Sequence, residues 1–198
     1  MVNQRALIQI RITRKYDTFW QIVDGASAKS NGEIGLKKEI LEKKINKLEC
    51  SDVADFVFWN WRYQGALCSP PMLAAICLLL KEELTDNSFP EFQNAIIGQG
   101  KEFYLKALGD PETLENHRNI LLGSFEPHSI AKDIYYERCG GGNPGMSLTE
   151  KAAQRGIETA TESEITYRGA TGFEIATKFG KILCPRLWEK YGGLLHAD

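Results

Sequence analysis

Residues 86–114 read DNSFPEFQNAIIGQGKEFYLKALGDPETL, and their apolar spacing decides the fold class. Phe89, Phe92, Ile96 and Phe103 recur near the helical period, with Ile97, Tyr104 and Leu108 widening the stripe, so a helix here turns a broad aromatic and aliphatic face inward. Asp86 and Ser88 offer capping oxygens ahead of Pro90, whose missing N–H costs nothing in a first turn. Gly98 and Gly100 each weaken a helix by about 1 kcal/mol relative to alanine, which predicts a break near Gln99 and a second helix over 101–108. Asp110-Pro111 then caps and restarts the chain. The stretch reads as two helices meeting at an Ile-Gly-Gln-Gly corner, and a face that wide requires partners.

Those partners lie on both sides. Upstream, Pro70-Pro71 open a nearly all-apolar segment through Leu84, which is expected as the central helix because it is hydrophobic around its circumference. Before it, Ser51 caps a helix whose apolar positions are Val53, Phe56, Val57, Trp59, Tyr63 and Ala66. Trp59, Trp61 and Tyr63 cannot all face one neighbour. Trp59 is assigned to the core; Trp61, beside Arg62, is the better candidate for a surface or groove position, with burial against another helix the favoured placement. A helix over 33–48 puts Ile34, Leu41, Ile45 and Leu48 on one stripe and Lys37, Lys38, Lys43, Lys44 and Lys47 on the rest, read as a solvated face partly neutralised by Glu39, Glu42 and Glu49. Asp17 caps an earlier helix that groups Phe19, Trp20, Val23 and Ala26 and ends at Asn31-Gly32. Ile8, Ile10 and Ile12 alternate with polar residues, the pattern of a short strand over 6–13.

Downstream, Leu114–Leu122 is helical in composition, and Glu126–Cys139 is a helix with Ile130, Ile134 and Tyr135 inward. It stops at a Gly-rich run from Gly140 that lacks the lysine and hydroxyl of a phosphate-binding loop and is read as a turn. Residues 140–172 form a flexible excursion containing a capping box at 147–150 and a possible strand at 164–168. The segment 173–198 closes the chain with two short helices, Phe173–Lys178 and Pro185–Tyr191, docking Phe173, Phe179, Leu183, Leu187 and Trp188. The expected fold is mainly α: a single domain over 1–198, a helical bundle with one or two short strands.

Four motifs also occur in a recognisable order. Phe19-Trp20 with Ile22-Val23-Asp24, the Asp86-Phe89-Phe92-Gly100 run, Asp-Pro-x-x-Leu at 110–114 and Pro185-Arg186-Leu187-Trp188 together resemble the bacterial domain-of-unknown-function family 4240. The resemblance implies a mostly helical fold of about this length and brings no catalytic residue with it.

Composition narrows the function classes. Hydrophobic residues at 43% and charged residues at 25% of a 198-residue chain suit one domain with a sizeable core. A formal charge of −2 disfavours nonspecific nucleic-acid binding, for which Lys37–Lys47 is the one basic concentration. The longest apolar run is too short to span a bilayer, and the N-terminus has strand periodicity in place of a signal peptide's apolar core, so the expectation is a soluble cytoplasmic protein.

Catalytic patterns are thin. The five cysteines show no C-x-x-C pair and no histidine at ligand spacing, so reduced thiols are expected, with no metal site and no cofactor. A nucleophilic Cys139 paired with His117 or His128 is conceivable, but a helix C-terminus raises a thiol pKa. Gln99 and Glu102 sit at the glycine corner, where small residues permit close approach, and join Trp61 as candidate binding residues. The sequence leans toward a non-enzymatic module that binds a protein partner, of accessory or immunity type. The alternatives are a small enzyme with a site assembled from distant residues and a nucleic-acid binder using the lysine face.

Overall fold

The computed structural model describes residues 18–81, 88–121, 127–140 and 172–193, and every regular element among them is helical. In chain order these are α1 (18–30), α2 (Ile34–Ile45), α3 (Cys50–Leu67), α4 (Pro70–Leu80), α5 (Ser88–Ile97), α6 (Lys101–Gly109), a 3-10 helix (Pro111–His117), α7 (Arg118–Leu121), α8 (Pro127–Cys139), α9 (Gly172–Leu183) and α10 (Pro185–Tyr191). The fold is mainly α. The strands expected at 6–13 and 164–168 lie outside the described residues, as do the capping box and nearly all of the 140–172 excursion. No single helix among the described residues is long and apolar enough to cross a membrane.

The chain divides into two compact units. The first comprises Met1–Tyr63, Gly98–Lys101 and Phe125–Thr159. Its core gathers the expected face of α1, with Phe19, Trp20, Val23 and Ala26 buried. Phe19 meets Phe56 and Tyr63 at ring separations of 4.6 and 4.9 Å, and Trp20 meets Tyr63 at 4.7 Å. Such aromatic pairs add to the area they bury. α1 ends as predicted, on left-handed Asn31 (φ 49°) and Gly32 (φ 85°). α8 packs on α2 through Ile130, Ala131 and Ile134, while Leu41 and Ile45 of α2 are fully buried. Ile34, expected in the same stripe, is 45% exposed at the first residue of α2, and Lys37 is buried instead.

The second unit comprises Gln64–Ile97, Glu102–Ser124 and Ala160–Asp198. α4 is its centre, as its composition predicts: Met72 and all of Ala74 to Leu80 are buried against α9, α10 and the 3-10 helix. Ser69 caps its start by accepting from the Met72 N–H, and two prolines fill its first turn. α4 ends at Lys81 in the left-handed region (φ 61°), short of the predicted Leu84. α9 turns Ile175, Ala176 and Gly180 inward. A Cβ on Gly180 would lie 2.7 Å from the Trp188 ring, so glycine is what lets the indole lie against α9. Phe179, expected to dock, is 51% exposed, because the helical turn places it outside that face.

Candidate functional site

In the first unit the structure converges on the glycine corner. Gly98 follows the last residue of α5, where helix carbonyls lack partners, and Lys101 opens α6, where N–H groups lack them. Side chains from α1 and α2 supply both. Lys101 N–H donates to Asp24 Oδ1 at 2.7 Å, Ser27 Oγ donates to the Gln99 carbonyl at 3.2 Å, and Lys37 Nζ donates to the Gly98 carbonyl at 3.1 Å. Asp24 therefore acts as the cap of α6 from 77 residues away, with its negative charge at the positive helix end. Gly100 takes φ +106°, and a Cβ there would stand 2.6 Å from Asp24 Oδ1, so both conformation and space require glycine.

This geometry corrects the solvated lysine face. Lys37 is 4% exposed, and burial pushes its pKa below the ordinary lysine value. Lys44 Nζ reaches the Gln21 and Ile22 carbonyls of α1, at 3.3 and 3.5 Å, passing over Gly25 where a side chain would obstruct it. Burial, then the charge of Lys29, holds its pKa down as well. Lys38, Lys43 and Lys47 remain exposed, which leaves the nucleic-acid reading a smaller basic face.

The loop between α2 and α3 is tied to the end of α8. Arg138 donates from its two Nη atoms to the Asn46 and Leu48 carbonyls at 2.6 and 3.2 Å, and Cys50 is disulfide-bonded to Cys139 across 89 residues of chain. This overturns the expectation of reduced thiols at these positions and removes Cys139 as a nucleophile in the oxidised chain. Sequence spacing held no signal for the pair, because its proximity arises from α8 packing on α2. The other thiols are occupied structurally. Cys68 accepts from Gln93 Nε2 at 3.0 Å, and burial pushes its pKa up. Cys184 donates to the Pro71 carbonyl at 3.2 Å, and burial, followed by the Glu112 and Asp110 carboxylates, pushes it up to about 12.

Beside this loop lies a cleft of about 80 Å³ lined by Thr18, Phe19, Ile22, Leu48, Asp52, Asp55 and Phe56. Its walls are aromatic and aliphatic, with two carboxylates one helical turn apart on α3. Among the described residues no group of histidine, cysteine, aspartate and glutamate side chains is placed to hold a metal ion.

In the second unit the turn at 110–114 receives the C-terminal helix. Glu112 Oε1 accepts from the Leu187 N–H at 2.8 Å and so satisfies the start of α10, while its Oε2 accepts from Arg186 Nε at 2.8 Å. Arg186 Nη2 also donates to Asp110 Oδ2 at 2.6 Å, and Asp110 Oδ1 caps the 3-10 helix through the Glu112 N–H. These hydrogen bonds hold the already high arginine pKa higher still. His117, considered as a partner for Cys139, instead packs edge-on against Phe103 in this unit, centroids 4.9 Å apart.

The three candidate binding residues are placed differently. Trp61 is 38% exposed on α3, Gln99 is half-buried with its backbone carbonyl engaged by Ser27, and Glu102 is exposed in the first turn of α6. Trp61 and Gln99 belong to the first unit and Glu102 to the second. Sequence reasoning missed Asp24, Lys37 and Glu112 as anchors, because a carboxylate or amine gives no local sign of a partner so far along the chain.

A family model described as a protein of unknown function (DUF4240) matches residues 15–138. The chain belongs to that family. The matched span contains the Phe19–Asp24 motif, the glycine corner and the turn at 110–114, so in the DUF4240 region Asp24 and Gly100 are two motif residues that the fold brings together. Pro185–Trp188 lies beyond the match, yet it is this segment that seats on the 110–114 turn. Neither a curated protein nor a solved structure matches the chain.

Proposed function

We propose that this DUF4240 chain is a non-enzymatic, cytoplasmic protein-binding module, of accessory or immunity type, whose recognition surface includes Trp61. The observation that carries the reading is the division of labour among its side chains. Several groups with nucleophilic or acid–base potential are committed to holding the chain together: Lys37 on the Gly98 carbonyl, Cys50 to Cys139, Cys184 on the Pro71 carbonyl. Trp61, by contrast, keeps over a third of its surface open, and tryptophan is among the side chains most enriched at the energetic centres of interfaces. Gln99 and Glu102 are further candidate binding residues, each on its own unit. A mildly acidic chain suits a basic partner through steering of the encounter.

A second reading rests on the cleft of the first unit, where Asp52 and Asp55 share a small apolar-walled space. Paired carboxylates at one site are one arrangement that serves general acid–base chemistry, and an enzyme assembled there is the alternative. Affinity capture from the native host, with the intact chain and with Trp61→Ala, Gln99→Ala and Glu102→Ala singly, separates them. A stoichiometric protein partner lost with Trp61→Ala supports the binding module. Turnover of a metabolite by the purified chain, abolished by Asp52→Asn or Asp55→Asn with no partner retained, overturns it. Salt-sensitive retention of nucleic acid, lost on charge reversal at Lys43, favours the exposed lysines instead.

A further inference from the structure

We propose that the Cys50–Cys139 bridge is a dithiol-operated clasp that sets whether the last turn of α8 is fastened to the α2–α3 loop, and with it the wall of the neighbouring cleft. The inference is independent of the binding reading above. Its starting point is how α8 is held. The buried residues of this helix, Pro127, Ile130, Ala131 and Ile134, stop one turn before its end. Tyr136, Glu137 and Arg138 in the final turn are exposed. What fastens that turn to residues 46–50 is the pair of Arg138 hydrogen bonds and the disulfide. Solvent competes for exposed hydrogen bonds, so the covalent link dominates the attachment. Both cysteines are half-buried and lie outside the buried core, a placement in which a bridge exchanges with an external thiol more readily than one sealed in the core.

The consequence reaches the cleft. Leu48 and Asp52 lie two residues to either side of Cys50 and form part of its lining, so releasing Cys50 loosens that wall while the buried stripe of α8 stays seated on α2. The exchange balances with a dithiol as reductant. One thiolate of the dithiol attacks a bridge sulfur, the Cys50–Cys139 bond breaks with its electron pair on the departing sulfur, and a proton makes that sulfur a thiol. The second dithiol sulfur then displaces the remaining protein thiol, leaving two protein thiols and an oxidised dithiol. In a reducing compartment such pairs are typically transient and sensing, not permanent staples.

The test uses the full chain, with dithiothreitol as the dithiol and hydrogen exchange read by mass spectrometry. Expected on reduction is at least about tenfold faster exchange at 46–52 and 135–139, with α4 residues 70–80 unchanged and the original pattern restored on reoxidation. A Cys50→Ser/Cys139→Ser double variant is expected to show the open pattern at once and no response to dithiothreitol. Three results overturn the clasp: alkylation of both cysteines in the oxidised chain, reduction with no change in exchange at 46–52, or loss of protection throughout the chain, which would make the bridge a structural staple.

Discussion

The first unit holds a glycine corner, and the second holds a proline turn, by opposite means. At the corner, side chains from α1 and α2 reach in singly to bond backbone groups: Asp24 to an N–H, Ser27 and Lys37 to carbonyls. At the turn, carboxylates leave the loop to grasp an incoming helix, with Glu112 on the Leu187 N–H and Asp110 on the exposed Arg186 guanidinium. The units also differ in their centres, since the second is built on α4, which offers almost nothing but apolar surface, while the first is built on a cluster of aromatic rings, Phe19, Trp20, Phe56 and Tyr63. An apolar centre is tolerant of exact geometry and intolerant of charge. A backbone-tethered corner is the reverse, because each tether works only at its own distance and angle.

The sharpest way to break this contrast is to charge the apolar centre. Leu78→Asp is expected to cost roughly 4 kcal/mol or more, measured by thermal melting, because Leu78 is fully buried and a carboxylate there would be taken out of water. Melting within a degree or two of the parent would mean that α4 does not organise its unit. At the corner, Gly100→Ala is expected to cost about 2 kcal/mol from the forced positive φ. The Asp24→Ala variant alone should cost about 1 kcal/mol as a lost cap. If close contact with Asp24 contributes as the geometry requires, the double variant will be less unstable than the two losses added, and strict additivity in that cycle rejects the contact.

At the turn, Glu112→Ala should cost about 1.5 kcal/mol, since it leaves the buried Leu187 N–H without its acceptor. Because the rest of that contact is an ion pair to the exposed Arg186 guanidinium, most of the loss should persist in high salt; a loss that vanishes at 1 M salt would show that the ion pair, not the helix cap, seats α10. The smallest expected effect is a pH slope. Burial lowers the Lys37 pKa, so between its folded and unfolded values the folded chain binds fewer protons than the unfolded one, and stability from this group rises as pH rises through that window. Lys37→Met should flatten the alkaline rise relative to the parent in paired pH melts. An unchanged slope would mean that the amine is solvated and the corner is not its anchor.

What the amino-acid sequence determined by itself depends on neighbours within a turn or two. The helical period of Phe19, Val23 and Ala26, the Pro70-Pro71 start of α4, the break at Gly98-Gln99-Gly100 and the proline restart at 110–111 are all local choices, and each appears where the spacing places it. Stripe reading failed where a side chain's role depends on what the helix meets. Lys37 is buried because a carbonyl at Gly98 awaits its amine, Phe179 is exposed because Gly180 and Ile175 form the face that packs, and Cys50 is bonded because α8 ends beside it. Periodicity reports which residues share a face; it carries no information on which face finds a partner or which distant backbone group is left unpaired. Those are decided only when the helices pack, since the free energy of a tether or a bridge exists only once its two ends, tens of residues apart in the chain, are brought within bonding distance.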